Sequence, residues 1–222
     1  MPSVNTPSVG RRPWPALAWM ALVAVLLSSC AGGPDAVRPP SINAHAAADQ
    51  ALEMYDTNHD GFLAGDELNR VPGLKSAMAT LDTDHDEKVS AGEIEERIRT
   101  WQGSQIGVAR VLCSVTMDGH PLAEATVTFE PESFLGDEIQ AGSGVTDALG
   151  VAYPRIPKEK RPVPDMPPGL QLGFYRVRVS KTVNGQETIP AIYNTETTLG
   201  QQIAPDDPAL MSHKIQLNLK SR

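Results

Sequence analysis

The chain is poor in cysteine, aromatic side chains and positive charge, and each shortage narrows what it can be. Among 222 residues only Cys30 and Cys113 carry thiols, aromatic residues make up 5%, and 19 Lys and Arg stand against 27 Asp and Glu. One cysteine pair cannot build the disulfide framework of a small secreted scaffold. A net charge of −8 argues against a nucleic-acid partner and for a cation. No apolar run is long enough to read as a membrane-spanning helix: "WPALAWMALVAVLL" follows Arg11 and Arg12, ends in the small residues of "LSSC", and has the length of a secretory signal. The length allows one large or two small domains, and the 41% hydrophobic content suits a globular protein.

Leu27-Ser28-Ser29-Cys30 resembles the lipobox of bacterial lipoproteins. That resemblance implies a signal peptide over 1–29, cleavage before Cys30, and lipid on its thiol. The mature protein would then be exported and held in the cell envelope by acyl chains, each buried methylene contributing roughly 0.8 kcal/mol. Ala31 places no acidic residue after the cysteine, an outer-membrane cue in that family, on the periplasmic or the surface side. Residues 30–43, rich in Gly, Pro and small side chains, read as a flexible tether, and the 13 residues after Cys30 would reach about 45 Å when extended.

The acidity is concentrated. Residues 30–103 hold 14 Asp and Glu against 6 Lys and Arg, whereas residues 104–222 hold 13 against 11. Two runs carry much of it, "DTNHDGFLAGDE" at 56–67 and "DTDHDEKVSAGE" at 82–93. Helical spacing flanks both: Ala48, Ala51, Leu52 and Tyr55 before the first, Leu74, Ala77, Met78 and Leu81 before the second, and Ile94, Ile98 and Trp101 after it. Pro72-Gly73 interrupts helix, so the segment leaving the first run, around 67–71, is predicted to be short.

Calcium takes six to eight oxygens in a flexible shell, which twelve residues of loop can supply. In the first run Asp56, Asn58 and Asp60 offer side-chain oxygens at positions 1, 3 and 5, Gly61 permits the sharp turn, and Phe62 offers its carbonyl at position 7. Ala64 leaves position 9 to water, and Glu67 closes the shell at position 12. The second run offers Asp82, Asp84, Asp86, the Lys88 carbonyl, Ser90 and Glu93 at the corresponding places. Both runs resemble EF-hand loops, and Leu63 and Val89 stand at position 8, where paired loops of that family share a short β-bridge. The second departs at position 6, where Glu87 replaces glycine. A left-handed non-glycine residue costs about 1–2 kcal/mol, and four candidate acids against three pull the other way. His59 and His85, at position 4, are expected to face solvent.

Beyond Gly107 the pattern becomes alternating. Ala109, Val111, Cys113, Val115 and Met117 form one apolar strand face, which makes Cys113 a buried, inert thiol. "ATVTF", "YRVRVS" and "KIQLNLK" alternate likewise, and Asp118-Gly119 signals a hairpin. Several short half-buried strands predict an antiparallel β-sandwich. The proline-rich "PRIPKEKRPVPDMPPG" predicts a long exposed loop. "VTMDGHPLAEATVTFEP", "VTDALGVAYP" and "GFYRVRVS" resemble carboxypeptidase regulatory-like domains, which implies a transthyretin-like sandwich serving as an accessory or interaction module.

Catalysis finds little support. Ser143 lacks the spacing of a nucleophile elbow, and His120 and His213 are lone histidines. The transthyretin-like ureide hydrolases carry a Tyr-Arg-Gly-Ser tail, where this chain reads "LNLKSR". The expected protein is therefore a multi-domain α + β, non-enzymatic, calcium-binding lipoprotein, with an EF-hand pair over 44–103 and a sandwich over 104–222. Its alternatives are an adhesive module for an envelope protein or glycan, with calcium only structural and contacts through "IPAIYNTETTLG" and the proline-rich loop, or a hydrolase.

Overall fold

Backbone hydrogen bonding in the acidic segment has to be met locally, because its loops are too polar to bury. Asn43 accepts from the Ala46 N–H at 3.1 Å and starts helix α1 (Ala44–Tyr55), whose small buried stripe is Ala44, Ala47, Ala48 and Ala51. The computed structural model describes residues 2–3, 37–212 and 214–221, so the leader, Cys30 and His213 lie outside the described residues. After the first acidic loop and strand β1 (Phe62–Leu63) come the short helices α2 (Gly65–Asn69), α3 (Pro72–Ser76) and α4 (Met78–Leu81). The second loop ends in β2 (Val89–Ser90) and leads into α5 (Ala91–Gly103), which buries Ile94, Arg97, Ile98 and Trp101.

One continuous helix through 74–81 does not form. Pro72 begins α3 at its first turn, where its missing N–H costs nothing. The Ser76 hydroxyl then donates back to the Gly73 carbonyl (2.7 Å), and the chain breaks at Ala77, with φ −96° and ψ 0°. Leu74, Ala77 and Leu81 still reach the core.

The remainder forms two four-stranded sheets over one apolar interior. In the first, β8 (Gly173–Ser180) lies between β5 (Thr126–Pro131) and β11 (Gly200–Ile203), and β6 (Gly142–Val145) pairs outside β5, all antiparallel. In the second, β3 (Cys113–Met117) pairs with β4 (His120–Pro121), β7 (Val151–Ala152) and β12 (Ile215–Leu219). Asp118 and Gly119 turn the β3–β4 hairpin with φ of 52° and 83°. The predicted alternation appears as core: Val127, Phe129, Val177, Val179, Cys113, Val115 and Leu219 are fully buried. A minor hairpin, β9 (Thr182–Val183) and β10 (Gln186–Glu187), a last short helix α6 (Pro208–Met211), and 3-10 turns at Ser133–Glu138, Lys158–Lys160 and Ala191–Tyr193 complete the described elements.

Three features depart from the sequence expectations. Strand β12 runs parallel to β3, Ile215 opposite Cys113 through Leu219 opposite Met117, because it arrives by a crossover from the other sheet and not by a hairpin. The proline-rich segment is not wholly exposed: Ile156 and Met166 are buried, and Arg161 donates to both of their carbonyls, at 3.4 and 3.0 Å. The last part of the expected tether is packed as well. Pro40 and Ile42 are buried, and the Gln102 amide donates to their carbonyls at 3.3 and 2.7 Å.

Helical segment and sheets belong to one unit, Ala36–Arg222. Trp101 meets Phe174 edge-on with ring centroids 4.6 Å apart. Strand β11 comes so close to α3 that a Cβ on Gly200 would stand 1.8 Å from the Pro72 carbonyl oxygen. Among the described residues no helix is long and apolar enough to cross a membrane.

Candidate metal centre

The two acidic loops fold by the same local rules. In the first, Asp56 accepts from the backbone N–H groups of His59 (2.6 Å) and Gly61 (2.9 Å), Asn58 from Asp60 (2.8 Å), and Asp60 from Phe62 (3.0 Å). Such bonds to the following backbone are the habit of short Asx side chains, and here they curl the chain around its own oxygens. Glu67, at the first turn of α2, reaches back across the loop. Its Oε1 accepts from the Thr57 N–H and hydroxyl (2.8 and 2.9 Å) and the Asn58 N–H (3.3 Å), and its Oε2 from the Ala64 N–H (3.3 Å). Burial pushes the Glu67 carboxyl up, but the hydrogen bonds from Thr57, Ala64 and Asn58 outweigh it and hold the group below its ordinary value.

The second loop repeats this wiring. Asp82 accepts from the N–H groups of Asp86 (3.2 Å) and Glu87 (3.0 Å), Asp84 from Asp86 (3.3 Å), and Asp86 from Lys88 (2.9 Å). Glu93 accepts from the Thr83 N–H (2.8 Å) and the Ser90 N–H (2.8 Å). One carboxylate oxygen from each of Asp82, Asp84 and Asp86 lies within 4.8 Å of the others. The Ser90 hydroxyl donates to Glu93 (2.9 Å) and accepts from the Glu93 N–H (3.3 Å), so it caps α5. Lys88 and Phe62 offer backbone carbonyls at matching places, and the Lys88 ammonium lies 4.9 Å from the Phe62 ring centre.

Backbone strain falls at matching positions too. His59 and His85 have φ of 60° and 62°, and both are exposed. Gly61 takes φ 85° freely, and Glu87 takes 64° at the same place. The loops meet edge to edge, Leu63 opposite Val89 and Phe62 opposite Ser90, with Leu63 and Val89 fully buried beneath. Among the described residues the structure brings only the Asp82, Asp84 and Asp86 carboxylates together in one such cluster. The side chains at positions 1, 3, 5 and 12 of both loops are oxygen donors without thiolate or imidazole, a set chemically suited to a hard cation.

Sequence reading missed the fixtures under the loops. Thr57 and Thr83, each bonding a closing glutamate, were visible as the second residue of both repeats. Glu132, Ser133, Arg176, Gln202 and Asp206 had no such signal. Buried Glu132 accepts from the Gly73 N–H (2.8 Å) and lies 3.5 Å from the Arg176 guanidinium, which donates to the Arg70 carbonyl (2.7 Å). Burial raises the Glu132 carboxyl above its ordinary value, against the Gly73 N–H and Arg176. Arg97 donates to both Asp206 oxygens (2.7 Å each), and that hydrogen bonding holds Asp206 low.

Other candidates lie apart. Cys113 is buried in β3, and burial pushes its thiol up to about 12. Ser143 lies in β6, where it pairs through its backbone with Arg155, and exposed His120 lies in β4 of the other sheet. Searches against protein-family models, curated proteins and solved structures found no match to this chain.

Proposed function

We propose that this chain is a calcium-binding protein whose acidic loops form an EF-hand pair, attached to a transthyretin-like sandwich that serves as an accessory or interaction module. The observation that carries the reading is the repeated wiring: two twelve-residue loops, each closed by a glutamate on a following helix and joined through Leu63 and Val89. Asp56, Asn58, Asp60 and Glu67 with the Phe62 carbonyl would hold one ion. Asp82, Asp84, Asp86, Ser90 and Glu93 with the Lys88 carbonyl would hold the other, and water is expected at position 9 of the first loop, where Ala64 has no ligand atom. A divalent cation would supply the charge that lets the Asp82, Asp84 and Asp86 carboxylates lie within 4.8 Å of one another. Affinity of about 10⁻⁴–10⁻³ M fits an exported module.

The lipobox reading adds a lipid anchor at Cys30 and a place in the bacterial envelope, so that the membrane and a protein or glycan of the envelope are the partners expected.

Isothermal calorimetry of the purified protein tests the calcium reading. Two binding events are expected, one lost in Glu67→Gln and the other in Glu93→Gln. No calcium heat and no thermal stabilisation at millimolar calcium would sink it. Mass spectrometry of the envelope-extracted protein tests the anchor, with acyl mass on Cys30 expected and a bare thiol counting against it.

A further inference from the structure

Each loop has an entering and a leaving helix, and the sheets touch both members of each pair. For the first loop, Ser133 just past β5 and Arg176 on β8 do this. The Ser133 hydroxyl lies 3.2 Å from that of Tyr55, the residue before Asp56, while Arg176 donates to the carbonyl of Arg70, the residue that ends α2 (2.7 Å), and Glu132 holds the Gly73 N–H of α3 (2.8 Å). For the second loop, Gln202 on β11 does it. In the amide orientation that satisfies both neighbours, its nitrogen donates to Thr80 on α4 (3.1 Å) and its oxygen accepts from Arg97 Nε on α5 (2.7 Å). Arg97 stands four residues after Glu93, on the same helix face, and its far end is taken by Asp206. Trp101 is seated on Phe174 of β8, and Ile94, Ile98 and Leu74 are fully buried.

A calcium-loaded helix pair acts as a switch when its helices swing apart and expose an apolar groove for a target. Here that freedom is taken up on both sides of both loops. We infer that the sandwich permanently occupies the apolar face of the helical pair and pins the helices flanking each loop, so that bound cation acts as a cross-link within one folding unit and not as a switch that opens a groove. The inference rests on the calcium reading for its ligand and on the packing alone for the pinning.

Hydrogen exchange on the intact protein, with and without calcium, separates the two. At about 10 mM calcium and a dissociation constant near 1 mM, each loaded loop should slow whole-unit opening roughly tenfold. The expected result is the same slowing for amides of β5 and β8 as for those of α1 and α5, with no gain in binding of a hydrophobic dye. Slowing confined to 44–103, or calcium-induced dye binding, would overturn the inference. If calcium slows exchange nowhere, the calcium reading fails and the pinning is judged in urea without cation. There, coincident opening of helices and strands upholds it, and earlier opening of the helices defeats it. Arg97→Met should uncouple the second loop, leaving its own protection by calcium but shrinking the share that reaches β8 and β11. Undiminished transfer in that variant would also count against the inference.

Discussion

The two acidic loops are nearly superimposable in wiring and differ in what they stand on. The first has glycine at its tightest turn, three acids among its donors and a buried carboxylate, Glu132, beneath its exit. The second strains a glutamate at that turn, has four acids among its donors, three of them gathered within 4.8 Å, and rests on Arg97, whose partner Asp206 is half exposed. Local chemistry has been conserved between the loops while the support was built separately for each. The acidic loops themselves are therefore a matter of short-range spacing, and what supports them is a matter of tertiary contact.

The sharpest way to break the comparison is at the closing glutamates. Glu67→Gln and Glu93→Gln should each weaken calcium at their own loop by more than the roughly 10–100-fold that loss of an outer partner costs. Calorimetry would read which loop is the tighter. Exchanging the turn residues comes next. Gly61→Glu should cost about 1–2 kcal/mol from the left-handed backbone alone, since a Cβ there meets nothing within 4 Å. Glu87→Gly should return less, under about 1 kcal/mol, because glycine also loosens the unfolded chain. Urea midpoints in calcium-free buffer would measure both.

The supports should differ in pH. Glu132 has its carboxyl raised by burial above 4.5, so its contribution is fully present below that value and is lost as pH rises through the folded value. Asp206 has its carboxyl lowered from 3.8 by the Arg97 hydrogen bonds, so its contribution is present above 3.8 and is lost as pH falls. Glu132→Gln should flatten the fall in stability above pH 4.5, and Asp206→Asn should flatten the fall at acid pH. Thermal melts on the acid side of 3.8 and on the alkaline side of 4.5 would show whether the two slopes vanish separately. The smallest effect is expected at the tie between loops. Lys88→Met removes the cation over Phe62, worth about 0.5–1 kcal/mol, and should lower the urea midpoint in calcium-free buffer by that little.

What could be read from the chain follows the same division. The loops were legible because their donors recur at every second position and end in glutamate, a pattern contained in twelve residues. The strands were legible through alternation, and Val127, Val177 and Leu219 lie in the core where that alternation put them. The break at Ala77 was hidden because the apolar stripe of 74–81 is satisfied equally by one helix or two. The parallel placement of β12 was hidden because alternation carries no strand direction. The fixtures under the loops were invisible for a plainer reason: Arg97 and Asp206 are 109 residues apart, and Gly73 and Glu132 are 59 apart.

The packed stretch before α1 has a geometric corollary. With Val37 already against the core and Pro40 and Ile42 held by Gln102, only residues 31–36 separate Cys30 from the folded body. Six residues span at most about 20 Å, less than half the leash read from composition. If Cys30 is acylated, the body must ride close above the headgroups.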